Sequence, residues 1–176
     1  MLPIQIRPLD DVPNTRAMLQ TLLVETVASG GSVGFMHPLQ PEDADAFWAG
    51  ALAAAARGAR IVLGAWDGDL LVGTVTLLLE FPPNQPHRAE IAKMMTRARH
   101  RRRGIASALL REAERLACAK GRTHLMLDTA SEDGASALYE SLGYLLAGEV
   151  PEFALKPLGG FTGTRFYWKR LAQPAA

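Results

Sequence analysis

The chain has 176 residues, 48% of them apolar, and a formal net charge of +1. That length and apolar share suit one globular domain with a real core. The near-neutral balance argues against a binder of long polyanions, and the one cysteine, Cys118, excludes an intrachain disulfide framework.

The N-terminal "MLPIQIRPLD" lacks the charged and apolar regions of a secretory leader. The longest apolar runs fall short of a bilayer span. The expectation is a soluble cytoplasmic protein with no membrane or nucleic-acid partner. "IQIRPL" alternates and reads as a first strand. "DDVPNTRAMLQTLLVETVASGG" reads as a helix, with Asp11 as cap, Pro13 in the first turn, and Leu19, Leu22, Leu23 and Val27 as its apolar stripe. "GGSVGFMHPL" is a glycine-rich loop whose Phe35 and Met36 are candidates for substrate contact, or for packing on the core. "QPEDADAFWAGALAAAARGAR" is a second helix, closed by Gly58.

"RIVLGAWDGDLLVGTVTLLLEF" predicts two strands joined by a hairpin at Asp67-Gly68. "AEIAKMMT" is a further long strand. A helix spans residues 103–119, with Ile105, Leu109, Ala113 and Leu116 on one face. "THLMLDT" reads as a buried strand and "EDGASALYESLGY" as a short helix closed by Gly143. "YLLAGEV" and "TRFYWKRL" are the last strands, with residues 151–163 between them as a Pro/Gly-rich loop. The order β-α-α-β-β-β-α-β-α-β-β predicts one α/β (α+β) domain around a mixed sheet.

The densest chemistry lies in "RARHRRRGIASALL", residues 97–110. A strand, a glycine turn and a helix start form a geometry for phosphate. The first helical N–H groups have no partner within the helix, and the helix dipole is positive there. Gly104 lets an anion approach the backbone, and the small Ala106 and Ser107 keep the entrance open. Arg101 and Arg103 add charge-assisted donors. Neither G-x-x-x-x-G-K-[ST] nor G-x-G-x-x-G is present, so the common nucleotide motifs do not apply. Arg97, Arg99 and Arg102 either meet a further phosphate or face water.

The pattern R-x-x-G-x-A (Arg101 to Ala106) resembles the coenzyme A pyrophosphate loop of the GCN5-related N-acetyltransferases. "AEIAKMM" before it, "LMLDT" after it and "ALYESLGY" follow in that family's order. Stretches including "LLVETVASGGSVGFMHPL" and "RAEIAKMM" resemble the tabtoxin-resistance-type acetyltransferases, which acetylate an amine on a small toxin. The resemblance implies a mostly antiparallel sheet of about seven strands flanked by about four helices, with acetyl-CoA held between splayed central strands. It divides the single domain, residues 1–176, into a substrate side (1–58) and an acetyl-CoA core (60–171). It assigns the pantetheine arm to the backbone of Met94, Met95 and Thr96, and the pyrophosphate to Arg101 and to the loop Arg103, Gly104, Ile105, Ala106 and Ser107. It makes Tyr139 the acid for the departing thiolate. Glu132 stands where many members have an asparagine that touches the arm.

Acyl transfer to an amine also needs a base. Glu90 and Asp128, on neighbouring strands, are the candidates, acting directly or through water. No Cys/His spacing suggests a metal. The expected activity is acetylation of a small-molecule amine by direct attack, without an acylated residue. The alternatives are a peptide acetyltransferase and a non-catalytic acyl-CoA-binding module. Homodimerisation follows by family analogy.

Overall fold

A computed structural model describes residues 3–132 and 135–172. Its elements follow the expected order: β1 (Gln5–Pro8), α1 (Pro13–Ala28), α2 (Pro41–Ala56), β2 (Arg60–Asp67), β3 (Leu70–Leu78), β4 (Arg88–Thr96), α3 (Ile105–Ala119), β5 (His124–Ala130), α4 (Ser136–Ser141), β6 (Leu145–Leu155) and β7 (Phe161–Arg170). A short 3-10 turn, Ala98–His100, precedes α3. The strands form one sheet in the order β1-β2-β3-β4-β5-β7-β6. All neighbours are antiparallel except β4 and β5.

Two local expectations are corrected. Asp11 does not cap α1: the capping position is Val12, in extended conformation, and no side chain bonds the helix end there. Asp11 lies one residue too early and instead approaches Arg16, at 3.5 Å. The loop expected at residues 151–163 is mostly strand, because β6 runs on to Leu155 and turns only over residues 156–160. Pro151 is tolerated there because β6 is the sheet's edge, where a missing N–H breaks no ladder bond. A register slip between Val150 and Ala154 absorbs it.

Side-chain alternation divides the core by sheet face. On one face α3 and α4 bury Leu109, Leu110, Ala113 and Tyr139 against Leu63, Val75, Ile91 and Leu127. On the other, α1 and α2 bury Leu19, Leu22, Leu23 and Trp48 against Val62, Trp66 and Met95. Ile91 and Met95 have the same parity yet face opposite ways. A bulge between them, where β3 steps from Thr76↔Ala92 to Thr74↔Met95, inverts the alternation. Lys93 sits on it with φ +52°, a conformation that costs a non-glycine residue roughly 1–3 kcal/mol.

β4 and β5 pair only from Arg88↔His124 to Ile91↔Leu127. Beyond that point β3 still holds β4 as far as Thr96, and β7 still holds β5 as far as Ala130. Two well-anchored half-sheets therefore part company in mid-sheet. The facing backbone edges of the two strands are left without a strand partner.

Candidate active site

At the open end of this splay the chain turns from β4 into α3. Arg102 and Gly104 both have positive φ, +60° and +75°. The first N–H groups of the helix that follows have no partner within it. A Cβ at Gly104 would meet no atom within 4 Å, so the space in front of α3 is open. The first turn carries no acidic residue. Ile105 is buried in the core at 2% exposure, so it offers only its backbone, whereas Ala106 and Ser107 are half-buried.

The arginines have separate roles. Arg97 is structural: its guanidinium grips both Glu25 oxygens of α1, at 2.9 and 2.7 Å, and donates to the Leu71 carbonyl at 2.9 Å. Arg103 reaches Asp67 at 3.1 Å. Arg101 is exposed, with its Nε 3.4 Å from the Thr96 carbonyl. A groove of about 480 Å³ lies between α1 and residues 96–101, and its lining takes nothing from β5 or α4. It flanks the splay without coinciding with it.

The three expected catalytic side chains have different surroundings. Tyr139 is 5% exposed, packed edge-on to Tyr144 at 5.9 Å and against Tyr167 at 6.0 Å. Burial, assisted by the charge of Asp128, pushes its phenol up to about 12. Asp128 is exposed on β5 and, among the described residues, makes no hydrogen bond or ion pair. Glu90 is ion-paired to Arg88 at 2.6 Å. Glu132 pairs with Lys156 of the β6–β7 turn.

Phe35 and Met36 diverge. Phe35 turns inward onto Phe47, with ring centroids 5.1 Å apart, whereas Met36 is 46% exposed. The loop that carries them is tied across the site: the His37 N–H donates to the Pro157 carbonyl at 3.0 Å, joining the α1–α2 loop to the β6–β7 turn. Phe153 and Phe166 form an aromatic pair on β6 and β7, 5.5 Å apart.

One residue that sequence reasoning passed over sits among these groups. The Lys93 ammonium lies 5.7 Å from the ring centroids of both Phe35 and Phe47. Burial lowers its pKa, the charge of Asp128 acts the other way, and Arg60 lowers it further. The signal was there: a lysine inside the apolar strand "AEIAKMM" is a residue type seldom buried without a reason. Among the described residues, no group of three or more His, Cys, Asp or Glu is placed to hold a metal. No described helix is long and apolar enough to cross a membrane.

The sequence pattern of the acetyltransferase (GNAT) family matches residues 23–144. N-acetyltransferase 8 of Rattus norvegicus is 34% identical over 85 residues, 47% of this chain and 38% of that protein. The chain spans less than half the length of such curated relatives, 49% for N-acetyltransferase 8B of the same species. An N-acetyltransferase from Staphylococcus aureus Mu50 superposes with a TM-score of 0.80 at 18% identity, covering 97% of this chain and 100% of that one. The yncA protein of Salmonella typhimurium, solved with its cofactor acetyl-CoA, superposes with a TM-score of 0.79 at 18% identity over 98% of this chain and 96% of that one. At such identities the likeness is one of fold.

Proposed function

This chain belongs to the acetyltransferase (GNAT) family, and from that premise we propose that it is an acetyl-CoA-dependent N-acetyltransferase acting on a primary amine of a small molecule. The observation that carries the reading is the splay itself. It offers unpaired β4 and β5 edges that end at an open, positively polarised helix start, with Asp128 and Tyr139 alongside.

The site suits the cofactor in shape and in donor chemistry. The free edge of β4 at Met94, Met95 and Thr96 can bond an amide-bearing arm as a further strand would. The N–H groups from Arg103 to Ser107 can take the pyrophosphate, with Arg101 as a charged donor. When bound, acetyl-CoA supplies an acyl group activated as a thioester.

The chain's own residues do the rest. Asp128, lacking any partner among the described residues, binds the acceptor as its ammonium and draws off the proton, directly or through water. Glu90, already neutralised by Arg88, is the weaker candidate. Tyr139, with its phenol near 12, stays protonated at every physiological pH and donates to the departing sulfur. A reference thiol has a pKa of about 8.5, so the phenol acts as a fixed hydrogen-bond donor rather than as an equilibrium acid. No residue is acylated: Cys118 lies in the second half of α3, with its Sγ on the Ala172 carbonyl.

A small acceptor is favoured over a peptide because the α1–α2 loop and the β6–β7 turn are joined across the site. The likeness to tabtoxin-resistance-type enzymes makes detoxification of an amine-bearing toxin the specific form of this proposal. We place the protein in the cytoplasm. A homodimer through the exposed apolar side chains of β6, such as Leu145, Val150 and Leu155, completes the reading.

The test is calorimetric titration with acetyl-CoA, followed by thiol release with a panel of amines. Binding with amine-dependent release supports an enzyme. Binding without turnover of any amine supports an acyl-CoA-binding module instead.

A further inference from the structure

Lys93 poses a problem that acetyl transfer to a simple amine does not solve. The chain adopts positive φ on a strand to place this side chain, and the place is poor for a cation. It is half-buried, and no carboxylate ion-pairs with its Nζ among the described residues. Its neighbours are the faces of Phe35 and Phe47. A Cβ at Gly34 would come within 3.2 Å of Nζ, so the α1–α2 loop approaches the ammonium with bare backbone. Arg60, half-buried at the start of β2, likewise makes no hydrogen bond or ion pair among the described residues, and its Nε is fully buried.

Lys93 and Asp128 lie one or two residues past the last β4–β5 pair, Ile91↔Leu127, on the two parting strands. Burial is the main influence that lowers the Lys93 pKa, with the Asp128 charge favouring the charged form and the Arg60 charge opposing it. Partly burying an ammonium without a partner carries a desolvation cost that two aromatic faces repay only in part. Such an arrangement is stabilised when a ligand brings the missing negative charge.

We infer that the acceptor is an amine that also carries a carboxylate, with its ammonium at Asp128 and its carboxylate at Lys93. Arg60 reinforces the positive potential from behind, and Phe35 and Phe47 pack against the carbon skeleton between the two groups. Lys93 is then a specificity-determining residue that reads a group remote from the reacting nitrogen. This rests on the acetyltransferase reading above and narrows its substrate class.

Thiol-release kinetics on matched acceptors test it. The acceptors are the α- and ω-amino acids, each beside its own carboxamide, which keeps the amine and removes the charge. Wild type is compared with Lys93→Met and Lys93→Arg, and calorimetry follows acetyl-CoA binding in each. Wild type is expected to prefer the acid by on the order of ten- to a hundredfold in kcat/KM, mostly through KM, as one charge-assisted contact predicts. Lys93→Met should bring the ratio to within about twofold, and Lys93→Arg should retain it.

The inference is overturned if wild type takes amides as well as acids, or if Lys93→Met keeps the preference. It is equally overturned if Lys93→Met abolishes both alike, which would assign the lysine to proton transfer, or if no amino acid reacts although acetyl-CoA binds. Failure to bind acetyl-CoA at all would instead bring down the acetyltransferase reading, and this inference with it.

Discussion

Gly104 offers a test of the cofactor loop that separates electrostatics from folding. Its φ of +75° favours glycine, but a side chain there meets no atom within 4 Å. Replacement therefore costs backbone strain of about 1–2 kcal/mol without a clash. Asn and Asp tolerate this conformation best, and an acidic group at a helix N-terminus recovers part of the strain. Gly104→Asp should fold. It also sets a negative charge at the proposed pyrophosphate site. At a separation of about 5 Å and an effective dielectric constant of about 40, each pair of like charges costs about 1.7 kcal/mol. Two phosphate charges make about 3 kcal/mol, a rise in Kd of roughly a hundredfold or more. Gly104→Asn has nearly the same shape and strain and no charge, so its Kd should stay within about threefold of wild type. Titration calorimetry with acetyl-CoA reads all three proteins, and thermal melts establish that each is folded. The gap between Asp and Asn should shrink in high salt. If Asp and Asn bind alike at low salt, the pyrophosphate does not sit on this helix start and the reasoning is wrong.

Tyr139→Phe should lower kcat by on the order of a hundredfold and leave acetyl-CoA affinity unchanged, as measured by thiol release and calorimetry. The same tyrosine makes stability alkali-sensitive. Its folded pKa, about 12, lies above the unfolded value of about 10, so its contribution is complete below about pH 10 and is lost as pH climbs to about 12. Two pH units correspond to about 3 kcal/mol, so denaturant melts at high pH should fall less steeply in Tyr139→Phe. Arg97→Ala should destabilise the fold by about 1–2 kcal/mol, because it frees Glu25 and the Leu71 carbonyl, while leaving the Kd for acetyl-CoA nearly unchanged. Arg101→Ala should do the reverse, and denaturant melts with calorimetry distinguish the two. Asp128→Asn should lower the Lys93 pKa further, since the Asp128 charge now raises it, and an NMR titration of the lysine side chain would detect the shift.

The order of the elements was legible because each rests on local chemistry. Prolines open α1 and α2, a glycine turn joins β2 to β3, though at Gly68-Asp69, one residue later than expected, and apolar spacing marks α3. The strand, glycine turn and helix start at Gly104 were legible for the same reason, since the residues that set them are neighbours in the chain. Where the reading went astray, the cause lay at a distance. Arg97 looked like its neighbours in the run until Glu25, 72 residues away, claimed it. Pro151 looked like a strand breaker until β6 proved to be an edge.

By itself, then, the sequence determined the domain's elements, their order and the glycine turn before α3, because turns and helix starts are set by residues within a few positions of one another. Only the tertiary structure decided which cations are taken up by ion pairs, as Arg97 is by Glu25. It alone placed Lys93 beside Phe35 and Phe47, because a one-residue bulge reverses the faces of a strand. A bulge is a mismatch between two strands, and neither strand records it alone.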